Sequence, residues 1–147
     1  ALLSHERINR VIADSFEGEY ALDIIAETID NERENSKSDN NMVRFWKENH
    51  GKDWEAVVDM DTKAIIKHYK NVKNFFPGKL SELKVPVLLT GSLEDEYAEY
   101  ISFEENYKKM LEKLPDGKMY LFKKGGHPAF ITAGNEFFQT AKEFFTK

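Results

Sequence analysis

Gly125-Gly126-His127-Pro128 follows the apolar run 119–122 and precedes a Phe-rich amphipathic stretch; Gly91-Ser92-Leu93-Glu94-Asp95 follows an apolar run of its own, 85–90. A histidine on a loop leaving one strand and an acid on a loop leaving another can form two thirds of a triad. The acid orients the imidazole and stabilises its protonated form, and the imidazole takes a proton from an oxygen nucleophile. Asp95 and His127 are 32 residues apart, room for one helix and one strand between adjacent loops on the same edge of a parallel sheet. The third group is a serine on a sharp strand-to-helix turn, Gly-x-Ser-x-Gly. No such turn occurs in the 147 residues. Ser15 and Ser92 also follow strand-like runs, but neither has glycines at both flanking positions.

Each candidate has a plainer rival. Glu94, Asp95 and Glu96 are contiguous, and a charged run after a strand often marks a helix N-terminus favoured by the macrodipole. Asp95 is the preferred acid and Glu94 its substitute. Asp14 is a further candidate, with a turn or cap as the simpler reading. His5, His50 and His68 are too widely spaced, without carboxylates at helical intervals, to form a metal set. His68 reads as a satisfied residue on an apolar helix face. Asp61 falls at helical spacing among Val57, Val58 and Ile65, either facing a ligand pocket or paired locally with Lys67 or a backbone donor.

These residues need elements to position them. The short apolar run Val11-Ile12-Ala13 suits a buried parallel strand, as do 85–90 and 119–122, with Pro86 tolerable near the start of its strand. Between 19 and 76 the pattern turns helical, with faces through Leu22, Ile25, Ala26 and Ile29, then Met42, Phe45 and Trp46, then Trp54 to Val72. The polar stretch 31–41 reads as a mobile connection, and Pro77-Gly78 closes the segment. Tyr100, Phe103, Tyr107, Met110, Leu111 and Leu114 share a helix face; Phe130, Ala133, Phe137, Ala141, Phe144 and Phe145 form one final stripe. The sequence predicts an α/β fold of about three parallel strands with flanking helices. Residues 1–18 and 77–147 form its core, and 19–76 an inserted helical lid.

At this point the chain resembles a known family. Residues 85–96 resemble the seventh strand and acid loop of α/β-hydrolase fold enzymes, and 118–128 are similar to their eighth strand and catalytic-histidine loop. Residues 5–15 resemble the passage into the sixth strand, and the helical insertion occupies the place of the cap domain. The resemblance covers essentially the whole chain but matches only the family's C-terminal half. It implies that Asp95 is the triad acid, that His127 is the general base, and that the nucleophile elbow and both oxyanion donors precede Ala1. An opening at Ala1 rather than Met carries the same expectation of a longer parent.

Composition narrows the partners. A net charge of -5 without any concentrated Lys/Arg face argues against nucleic acid. The longest apolar runs fall far short of the roughly 20 residues that span a bilayer, so no membrane partner is expected and the location is read as cytoplasmic. The absence of cysteine excludes disulfides and thiolate chemistry. No metal or cofactor is expected. The first functional expectation is part of a serine hydrolase acting on a small ester, amide, thioester or carbon-carbon substrate. The aromatic residues Phe45, Trp46, Trp54 and Tyr69 favour an apolar or aromatic group. The alternative is a non-catalytic, truncated hydrolase-like binding domain. The family's strand order also leaves the edge between Ile8 and Ala13 unpaired, to be met by a second copy, by a separate chain carrying the missing half, or by displaced lid helices.

Overall fold

The computed structural model describes residues 1–2, 5–19, 23–76, 78–98 and 100–146. The readings placed on Leu22 and Pro77, and on the side chains of His5 and Ile25, lie outside the described residues. The chain divides into two compact units, 1–19 with 75–147, and 20–74.

The first unit holds a three-stranded parallel sheet in the order β1 (Val11–Asp14), β2 (Val87–Ser92), β3 (Gly117–Phe122). Val11 stands opposite Val87, and Val87 opposite Gly117. β2 is central and buried at every position, which is why its sequence is a continuous apolar run rather than an alternation. It starts two residues later than the apolar run predicts. Pro86 has no N–H to give a ladder and contributes only its carbonyl, which accepts from Val11 N at 3.0 Å.

Helix α4 (Phe103–Leu111) opens on Ser102, whose hydroxyl accepts from Glu105 N at 3.3 Å, and buries Phe103, Tyr107 and Met110 on one face. The Tyr107 hydroxyl is buried between the ends of β1 and β2. It donates to Thr90 O at 3.0 Å and accepts from Phe16 N at 3.2 Å. Burial raises its pKa well above the ordinary tyrosine value. The final aromatic stripe is two helices rather than one, α5 (Ala129–Thr132) and α6 (Gly134–Thr146). Gly134, at φ +47, sits in the left-handed region at their junction, where a β-carbon is disfavoured and an α-helix breaks.

The second unit is three helices, α1 (Asp23–Ser36), α2 (Asn40–His50) and α3 (Trp54–Asn71). The stretch 31–41 is therefore mostly helix, and only 37–39 connect. Asn31, Glu32, Glu34 and Asn35 are its exposed side, while Arg33, and Lys37 just past α1, reach α3 through ion pairs: Arg33 with Asp61 at 2.6 Å, and Lys37 with Asp59 at 2.7 Å and, locally, with Glu34. Asp39 then caps α2, accepting from Asn41 N at 2.8 Å. Asp61 is exposed and pairs with Arg33, not Lys67, which corrects the local pairing read from sequence. Trp46 is buried and stacks on Trp54 at 5.6 Å, so both rings serve this unit's core, whereas Phe45 is exposed. His68 is satisfied through Nε2 and Asn74 O at 3.0 Å. Among the described residues, no helix is long and apolar enough to cross a membrane.

Candidate active site

Adjacent parallel strands release their loops on the same edge of a sheet, and that edge is where α/β proteins place ligands. Asp95 follows the end of β2 and His127 the end of β3. Their side chains meet with His127 Nδ1 at 3.1 Å from Asp95 Oδ2. The Asp95 side chain is 0% exposed and that of His127 34%, so the acid is sealed while the ring reaches solvent. Asp95 Oδ1 accepts from Tyr97 N at 2.9 Å, which fixes the carboxylate plane. The Tyr97 ring meets the imidazole edge-on at 5.0 Å. In the tautomer that gives Nδ1–H to the carboxylate, Nε2 keeps its lone pair.

The neighbouring acids have other tasks. Glu94 is exposed and offers its backbone N–H to Ser92 Oγ at 3.2 Å. Glu96 accepts the backbone N–H of His127 at 2.8 Å through Oε2. Hydrogen bonds from its own backbone and from that of His127 hold the Glu96 carboxyl below its ordinary value. A lowered folded value means that the contact adds stability above the ordinary glutamate range, and loses it as pH falls through the lowered value.

Asp14 bridges the acid strand and the histidine loop. Its Oδ1 accepts from Thr90 Oγ1 at 2.6 Å and its Oδ2 from Phe130 N at 2.9 Å. Ser15, at φ +50, accepts from Ala129 N at 2.9 Å. The end of β1 therefore supplies the cap that α5 lacks in its own sequence. This settles Asp14 as a cap rather than an acid for His127. Asp14→Ala strands the donors Thr90 Oγ1 and Phe130 N and is expected to cost about 2 kcal/mol. The check is the denaturant midpoint; an unchanged midpoint means the cap contributes nothing.

Ser92 is buried, donates to Gly125 O and accepts from Glu94, so its hydroxyl ties the two loops together. Ser15 is likewise buried and occupied. Neither serine is available as a nucleophile, and among the described residues no hydroxyl is hydrogen-bonded to the His127 ring. The two glycines before His127 do different things. Gly125 has φ +116, closed to most side chains, while Gly126 lies where a β-carbon would stand 2.6 Å from Glu96 Oε2. Sequence reasoning gave Asp14 as a turn or cap, but missed the Glu96 contact, the part of Ser15 and the distant helix that the two residues cap. The second glycine of Gly-Gly-His was the available signal for the Glu96 contact.

Neither a family model nor a curated protein matches the sequence. Solved structures do. The chain is similar to a His-tagged serine hydrolase involved in carbazole degradation (the CarC enzyme), 18% identical with a TM-score of 0.61, over 99% of this chain and 57% of that one. It is also similar to MenH from S. aureus, 18% identical with a TM-score of 0.56, over 99% of this chain and 63% of that one. The chain thus spans less than two thirds of either. What is shared is the fold: this is part of an α/β-hydrolase fold, with three parallel strands and flanking helices.

Proposed function

We propose that this chain carries the acid and the base of a serine hydrolase, Asp95 and His127, and that the serine and its oxyanion donors are supplied by polypeptide outside these 147 residues. The observation that carries the reading is the 3.1 Å contact between a sealed carboxylate and a solvent-reaching imidazole, on loops leaving adjacent parallel strands. A base so oriented accepts the serine proton and returns it to the leaving group. The helical unit 20–74 is read as the cap, and the exposed Phe45 favours a small substrate with an apolar or aromatic group. β1 has β2 as its one neighbour among the described strands, so its other edge, 8–13, is where the nucleophile-bearing segment or a second copy would pair.

A fluorophosphonate probe tests this. The 147-residue chain is expected to take no label, because a base without nucleophile or oxyanion donors contributes only about 10²- to 10⁴-fold. The polypeptide translated together with the coding sequence preceding Ala1 is expected to take one label and to hydrolyse p-nitrophenyl esters. Labelling of the short chain that survives His127→Ala, or a longer polypeptide that neither labels nor turns over, overturns the proposal. The second result would leave a binding domain.

A further inference from the structure

We infer that Glu96 is a positioning residue for His127: its carboxylate holds the histidine's peptide N–H, and Gly126 is small in order to admit it. The inference rests on the catalytic reading of His127, but its geometry stands apart from turnover. Asp95 holds the ring through one oxygen and Tyr97 N through the other, and the His127 peptide N–H goes instead to Glu96. A ring held at one nitrogen still swings if its peptide is loose. Glu96 Oε2 removes that freedom with a second anchor 2.8 Å from His127 N. The three atoms nearest a β-carbon built on Gly126 all belong to Glu96: Oε2 at 2.6 Å, Cδ at 3.5 Å and Oε1 at 3.7 Å. No backbone atom stands among them. Gly126 also lies outside the left-handed region that Gly125 occupies, so its missing side chain answers to space rather than to backbone conformation. Glu96 is exposed and packs no core, so its orientation follows from the hydrogen bonds its carboxylate accepts, from His127 N and from its own backbone.

The test is NMR on the 147-residue chain, reading two signals: exchange of the His127 backbone amide, and the downfield Nδ1–H proton shared with Asp95. Glu96→Ala is expected to speed amide exchange about tenfold or more, as expected for a lost hydrogen bond at a solvent-exposed loop, and to broaden the ring proton. Glu96→Gln keeps an acceptor oxygen and should hold both signals within about twofold of the native chain. Gly126→Ala should reproduce Glu96→Ala, since its β-carbon displaces the carboxylate. Combining the two alanines should then add less than about twofold, the mark of one shared interaction. Signals unchanged in Glu96→Ala overturn the inference, and so do effects of Gly126→Ala and Glu96→Ala that multiply. An inactive longer polypeptide would defeat the hydrolase proposal and leave these outcomes to decide Glu96 by themselves.

Discussion

Asp95→Asn is expected, on the proposed function, to lower kcat about 10⁴-fold in a polypeptide that also carries the serine, with KM nearly unchanged. The structure dictates the direction. Asp95 Oδ1 accepts from Tyr97 N–H at 2.9 Å, so an asparagine places its own oxygen there and turns its NH₂ toward His127. An NH₂ facing Nδ1 makes that nitrogen the acceptor and moves the imidazole proton to Nε2. A ring protonated at Nε2 cannot accept the proton of a serine. The volume is unchanged and the Tyr97 bond is kept, so folding should be preserved, which circular dichroism and the denaturant midpoint would verify. A loss of kcat smaller than tenfold would mean that Asp95 does not set the tautomer.

The largest effect on stability is expected at Phe122. It is fully buried at the end of β3, with ring centroids 5.8 Å from Phe137 and 5.0 Å from Tyr120. Its carbonyl accepts from Leu93 N at 2.9 Å, so the same residue joins sheet, α6 and the start of the acid loop. Phe122→Ala removes the ring from a site that the backbone ladder prevents from collapsing, at a cost of about 3–5 kcal/mol. Against a total of about 5–15 kcal/mol for a domain, that is a large share. Urea denaturation should show a sharply lower midpoint. An unfolding free energy within about 1 kcal/mol of the native chain's would place the core elsewhere.

The sheet and its two principal residues were legible because their signals are local. Runs of apolar residues ending in Gly91-Ser92 and Gly125-Gly126 mark strand ends, parallel strands bring the loops that follow to one edge, and the resemblance to α/β-hydrolase fold enzymes supplied the roles of acid and base. The less legible parts depend on partners distant in sequence. Asp14 and Ser15 cap a helix more than a hundred residues away, an arrangement that leaves no periodicity to read. The stretch 31–41 failed as a linker for a different reason. A helix whose outward side is charged has the composition of a loop, and only its pairing with Asp59 and Asp61 distinguishes the two. Gly134 was a plain breaker inside an apolar stripe, and the spacing of the phenylalanines concealed it.

Phe75 N donates to Glu19 O at 2.9 Å, so the chain leaves the sheet unit and rejoins it at nearly one point, with residues 20–74 between. Closing a loop across so short a gap costs the sheet almost nothing in backbone geometry, whatever the loop contains. The three helices are in this respect a cassette. Replacing them is expected to leave in place the strand ends that precede Asp95 and His127. A chimera that keeps Glu19 and Phe75 and exchanges everything between them is the natural unit for engineering.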